Sequence, residues 1–278
     1  MKPIITFSLV FLFTIAVEAQ IDRTQQPKPG PAPLIQVENP EEFELKNGMT
    51  VLLVENHKLP RVSMSLSIDH PLIVEGEKVG ANNLLSGMMG KGSTSISKND
   101  FEEEIDFMGA RLFFNSSGAQ ASSLSRYFPK VLELMADAAL NPNFVEEEFQ
   151  KEKEKLITGL ETAEKDVKTA ARRVENILTY GVNHPYGEFI TKEKVMGLTL
   201  EDVKTAYDYI YSSTNSYLVV VGDFDPAQTK KLIKEHFGNW KAKEQAKIPF
   251  SDPSNAEQTE IDFVEIPNAV QSEISFIN

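Results

Sequence analysis

Residues 43–69 read FELKNGMTVLLVENHKLPRVSMSLSID, and the fold starts to become legible here. Phe43 and Leu45 alternate with polar residues, Asn47-Gly48 is a turn signal, and Val51 to Val54 form a returning apolar run. Side chains alternate between faces along a strand, and Asn-Gly tolerates the positive φ angles of a tight hairpin. Val62, Met64, Leu66 and Ile68 then occupy every second position. The pattern predicts three strands with short connections, an antiparallel meander.

Downstream the period lengthens. VGANNLLSGMMGKGST (Val79 to Thr94) reads as a short helix running into a Gly-rich exit. SKNDFEEEIDFMGA offers Ser97 or Asn99 as a cap and places Phe101, Ile105 and Met108 on one helical face. ARLFFNSSGAQASSLSRY returns to a strand pair. Tyr127 to Leu140 is amphipathic through Val131, Leu134, Met135 and Ala138, and stops at NPN. Charged helices follow over Val145 to Lys165 and Ala170 to Tyr180, then a capped helix in TLEDVKTAYDYIYSS. SYLVVVGDFDP is a buried strand and AQTKKLIKEHFGNW a last helix. Strands and helices come in runs rather than as repeated βαβ units, so the expected class is α+β, an antiparallel sheet flanked by helices.

The ends differ from this body. Residues 1–19 combine Lys2, an apolar stretch and small residues before Gln20, the layout of a cleaved secretory signal. Cleavage near Ala19-Gln20 would make the chain periplasmic or secreted. Residues 20–38 form a Pro-rich leader, 39–241 the main domain and 242–260 a polar linker. Residues 261–278 look like two strands that open a second, homologous domain.

Composition narrows the chemistry. The 278 residues are 41% hydrophobic and 25% charged, the balance of a globular chain. There is no cysteine, so neither a disulfide nor thiolate-held zinc can form. A net charge of −13 argues against nucleic acid or anionic membrane surfaces as partners.

Several stretches together carry a resemblance: residues 43–69, FEEEIDFMGARLFF, HPYGEFITKEKVMGLTLEDVKTAYDYIYSSTNSYLVVVGDFDP and HFGNW. From about Phe43 to Trp240 the chain resembles the N-terminal domain of the pitrilysin/insulinase metallopeptidases, in their bacterial, processing-peptidase-like branch. The resemblance implies a processing-peptidase-like metallohydrolase fold. Active members carry H-x-x-E-H on a helix that ends in G-T. Two imidazoles at i and i+4 share a zinc ion, the intervening Glu serves as general base, and a Glu on a later helix is the third ligand.

Here Gly92-Ser93 stands at the exit. Counting back puts Asn83 and Gly87 at the two His positions and Ser86 at the Glu. Glu152 matches a Glu about two turns ahead of the third ligand, which then falls on Gly159. Glu161 and Glu164 leave room for a slip of one turn on that helix. None of His57, His70, His184 and His236 lies near another in sequence, so each reads as a surface or capping residue. The expectation is a chain without metal or catalytic residues, zinc being present only in a partner.

The resemblance therefore implies a non-catalytic member, or half, of a clamshell peptidase. Its partner would be a zinc-bearing family member or a second-half domain, with extended peptides enclosed between them. The alternatives are a free-standing peptide-binding module and, third, an active zinc endopeptidase. In the family the strand after the FMGA helix is a sheet edge, which makes Leu112, Phe113, Phe114, Asn115, Ser116 and Ser117 the candidate peptide-binding segment. The same residues also read as two core phenylalanines and a polar turn. Either way, Phe113 and Phe114 point to opposite faces, and one of them should be the more exposed.

Overall fold

The computed structural model describes residues 30, 39–245, 249–250, 252–255, 257–267 and 269–277. The chain divides into two units, residues 1–38 and 39–278. The expected signal and leader, Gly30 apart, lie outside the described residues.

The second unit is built on one six-stranded sheet. Its strands are β1 (Glu41–Glu44), β2 (Thr50–Glu55), β3 (Arg61–Ile68), β4 (Arg111–Asn115), β5 (Gly118–Leu124) and β6 (Ser216–Gly222). The hairpin at Asn47-Gly48 joins β1 to β2 in the register Phe43↔Val51. The Asn47 side-chain amide donates to the carbonyls of Phe237 and Trp240, which ties this turn to the far end of the domain.

β2 and β3 are not neighbours, and this corrects the expected meander. The spatial order is β1-β2-β6-β3-β5-β4, with β6 inserted parallel to β2 and antiparallel to β3. β6 carries the apolar run Leu218-Val219-Val220-Val221; Leu218 and Val220 enter the core, while Tyr217 and Val221 on the other face are exposed. The connection 56–60 has to cross two strand spacings, about 10 Å, which five residues do easily.

Helices cover one face of the sheet. They are α1 (Ala81–Met88), α2 (Lys98–Phe107), α3 (Phe128–Leu140), α4 (Glu146–Ala163), α5 (Val167–Tyr180), α6 (Lys192–Met196), α7 (Leu200–Ile210) and α8 (Pro226–Phe237). Ser97, not Asn99, caps α2 by accepting the Asp100 N–H. Asp166 starts α5 three residues earlier than the periodicity predicts, because its carboxylate accepts the Thr169 N–H at 2.7 Å. Thr199 and Asp202 form a full capping box on α7. The short helix α6 is not predicted by the sequence pattern.

The core lies between the sheet and this layer. Val62, Met64, Leu66 and Ile68 point into it from β3, and Val131, Leu132, Met135 and Ala139 meet them from α3. Ser63, Ser67 and Gln120 point the other way and are exposed. The α+β expectation holds, with β2–β6 as a parallel pair inside an otherwise antiparallel sheet. Among the described residues of 242–278 there is no helix or strand. An extended segment without a partner ladder leaves its N–H and C=O groups to solvent, and Phe263 and Phe276 here are exposed.

Candidate functional site

Gly80 precedes helix α1 as its N-cap residue, and the first amides are capped from upstream. The Glu75 carboxylate accepts the N–H of Gly80 at 2.6 Å and of Asn82 at 3.2 Å. Burial pushes the Glu75 carboxyl above its usual range, and the nearby Glu188 adds to this, while the amides at the helix start oppose it. Glu188 in turn accepts the amides of Glu75 and Gly76. The entry to α1 is thus fixed by two carboxylates working on backbone donors.

Ala81, Leu84, Leu85 and Met88 face the core. At 3.6 residues per turn this leaves Asn83, Ser86 and Gly87 together on the opposite side, as the i, i+3, i+4 spacing requires. Asn83 is exposed; Ser86 and Gly87 are half-buried. The Ser86 hydroxyl accepts the Ser116 N–H at 2.8 Å. Gly87 has no side chain, and the Glu152 carboxylate from α4 occupies that volume: a Cβ on Gly87 would stand 2.6 Å from Glu152 Oε2. Lys91 pairs with the other carboxylate oxygen at 3.2 Å, and Lys155 approaches Oε2 at 3.4 Å.

Gly159 is on a different helix. It lies two turns further along α4, is exposed, and a Cβ built on it meets nothing within 4 Å. Asn83, Ser86 and Gly87 share a face of α1, and Gly159 lies on α4, two turns beyond the Glu152 that reaches Gly87. Among the described residues no three His, Asp or Glu side chains are grouped to hold a metal ion. The histidines are dispersed. His57 sits between Asp223 and Glu55, and His70 contacts the Pro71 carbonyl. His184 departs from the expected surface position: it is buried, stacks on Tyr180 and accepts the Tyr186 N–H.

Beside this face runs β4, the last strand of the sheet. Phe113 is 65% exposed, whereas Phe114 turns inward and is half-buried, the asymmetry the alternation predicts. Phe114 rests on Gly90, whose φ of +74° and missing Cβ make the contact possible; a Cβ there would stand 2.5 Å from the ring. The Tyr211 hydroxyl donates to the Asn115 carbonyl at 3.0 Å and lies 3.4 Å from that of Gly118. Leu112 is half-buried, Ser116 is held by Ser86, and the Ser117 N–H bonds to Asn115 Oδ1. Lys91 and Tyr211 are contributors that the sequence reading misses. No local signal marks Tyr211, since its partner Asn115 is 96 residues away.

The Gly-rich exit of α1 is set by Asp137 on α3. Its carboxylate accepts the hydroxyls of Ser93 and Ser95 and the side-chain amide of Asn141. Burial alone would push this carboxyl up, but those hydrogen bonds outweigh it and hold it below the usual range.

Comparison with known proteins places this arrangement. The family model for Insulinase (Peptidase family M16) matches residues 50–190, and that for the Peptidase M16 inactive domain matches 197–277. The chain belongs to the insulinase (M16) peptidase family. The beta subunit of the mouse mitochondrial-processing peptidase is 27% identical over 245 residues, covering 84% of this chain and 48% of that protein. The zinc protease PqqE of Helicobacter pylori is 22% identical over 222 residues, 75% of this chain and 49% of that one.

Among solved structures, the peptidase M16 inactive domain of Pseudomonas fluorescens matches with a TM-score of 0.67 at 21% identity, over 78% of this chain and 54% of that one. The first half of the periplasmic protease PqqL of Escherichia coli matches with a TM-score of 0.64 at 22% identity, over 81% and 51%. The chain spans about half the length of the curated relatives it matches. Among the described residues no helix is long and apolar enough to cross a membrane.

Proposed function

We propose that this chain is a zinc-less, non-catalytic half of a two-part M16 peptidase, which helps to bind and enclose an extended peptide beside a zinc-bearing partner. One observation carries the reading. At Gly87, where active members are expected to hold their second imidazole, the space is taken by the Glu152 carboxylate, already neutralised by Lys91. The remaining donors on that helix face are an amide oxygen at Asn83 and a hydroxyl at Ser86. This set does not fit a catalytic zinc, which takes imidazole and carboxylate ligands and needs a base near its water. No hydrolytic step is therefore assigned to this chain.

Support for a partner comes from the company the chain keeps. The solved neighbours include a first half and an inactive domain of M16 proteins, and a curated relative is named as a subunit. A neighbour described as periplasmic supports, for this chain, a periplasmic location after removal of the N-terminal signal. The second reading, a free-standing peptide-binding module, draws on the β4 edge. An edge strand offers unpaired N–H and C=O groups to which an extended peptide adds.

The deciding experiment uses the full chain, purified and dialysed against excess zinc. Metal content well below one ion per chain and no turnover of a fluorogenic peptide are expected. Stoichiometric zinc, with hydrolysis lost on chelation, would overturn the proposal. Co-purification with a chain bearing H-x-x-E-H separates the half-peptidase from the free-standing module.

A further inference from the structure

The turn end of β4 is held from three directions. Tyr211 reaches the carbonyls of Asn115 and Gly118 from the end of α7, and Phe114 packs on Gly90 at the exit of α1. The third hold is the bond from the Ser116 N–H to Ser86 Oγ. The first two come from side chains the core also needs: Tyr211 is buried and Phe114 packs against the core. The third comes from a side chain outside the core. The apolar face of α1 is complete without Ser86, so an alanine there would leave the helix equally well buried.

What the hydroxyl adds is direction. Ser116 is the first residue past β4, and its amide is tied by one bond to a rigid helix. Ser116 and Ser117 form the turn between the paired residues Asn115 and Gly118, so that bond anchors the turn end of the β4–β5 edge hairpin against α1. A peptide adding to an edge strand gains main-chain hydrogen bonds only where the strand's own ladder groups are already aligned. Ordering done before binding is not lost at binding.

We infer that Ser86 is a positioning residue for the capture of an extended peptide on β4, acting through the Ser116 amide; this rests on the peptide-binding reading given above. Ser86 touches no peptide itself. It stands where active members are expected to carry the general base, and here the position governs the geometry of the adjacent edge instead of chemistry.

Two measurements on the full chain test this. The first is amide hydrogen exchange at Ser116, compared with Ala119 and Ala121 in the sheet. Ser86→Ala should speed exchange at Ser116 about tenfold, the worth of one hydrogen bond, and leave the two sheet amides unchanged. Ser86→Thr should restore the slow rate. The second is binding of a fluorescent decapeptide of alternating valine and lysine, a strand former opposite in charge to this chain. Affinity should fall about threefold to tenfold in Ser86→Ala and return in Ser86→Thr.

Unchanged Ser116 exchange in Ser86→Ala would overturn the inference, as would faster exchange with undiminished affinity. If the wild-type chain does not bind the peptide, the peptide-binding reading fails and takes the positioning role with it. The exchange result still reports on the clamp, so the two failures are distinguishable.

Discussion

The Glu152 carboxylate lies against the backbone of Gly87, 2.6 Å from where a Cβ would be. This contact joins α4 to the helix face of Asn83 and Ser86, and Lys91 completes it at 3.2 Å. A residue with no side chain thus decides which charge occupies the site. The group in contact is the far end of a flexible side chain, so the arrangement can yield.

Gly87→Ala follows from this. The new methyl displaces the carboxylate and weakens its pairing with Lys91, a partly buried pair worth up to about 1 kcal/mol. Against that, replacing glycine inside a helix gains about 1 kcal/mol. The two nearly cancel, and denaturant unfolding should show a net change below about 1 kcal/mol. A loss of several kcal/mol would mean that Glu152 cannot move aside.

Tyr211→Phe should destabilise the chain by about 1–2 kcal/mol, because it leaves the carbonyls of Asn115 and Gly118 without their shared donor. Burial holds the phenol far above its ordinary pKa, so it remains a neutral donor at any working pH. Hydrogen exchange should place the loss in β4 and its turn rather than across the domain. Uniform loosening would point to the stacked Tyr207–Tyr211 pair instead.

His57 carries a pH signature. Its Nδ1 lies 2.6 Å from Asp223 and its Nε2 3.3 Å from Glu55, and only the imidazolium can donate to both. The hydrogen bond that His57 donates to Asp223 raises its pKa above the ordinary value, with Glu55 adding to it. Its stabilising contribution is therefore complete below the unfolded pKa of about 6.5 and fades as pH rises through the folded value. NMR titration should show the raised pKa, and Asp223→Asn should lower it toward 6.5. An unchanged titration in that variant would remove Asp223 as the cause.

Asp137 behaves in the opposite sense. Its carboxyl is held below the usual range, so its contribution is present above the unfolded pKa of about 3.9 and is lost as pH falls through the folded value. Asp137→Asn should cost about 1–3 kcal/mol at pH 7, since the Ser93 and Ser95 hydroxyls lose a charged acceptor. It should also flatten the loss of stability below pH 4. Unfolding curves collected across pH 2.5–7 for both proteins would check this.

Much of the chain could be read without its structure. Strand alternation in β3, the Asn47-Gly48 turn and the caps at Thr199 and Ser97 rest on interactions within a few residues. So did the shared face of Asn83, Ser86 and Gly87, which is helical geometry alone. The place of β6 was not legible as a pairing. Its composition is apolar but names neither neighbour, and its partners lie far earlier in the chain, Val51 opposite Leu218 and Met64 opposite Val220. Gly159 was legible only as a position; that it faces open space depends on how α4 lies against α1.

The sequence by itself determined that three residues of α1 share one face and that none carries an imidazole or carboxylate, because side-chain chemistry and helical period are local properties. Only the tertiary structure decided what fills that face: Glu152 and Lys91 across Gly87, and Ser116 on Ser86. Contacts of this kind join residues far apart along the chain, and their geometry exists only once the helices and the sheet have packed.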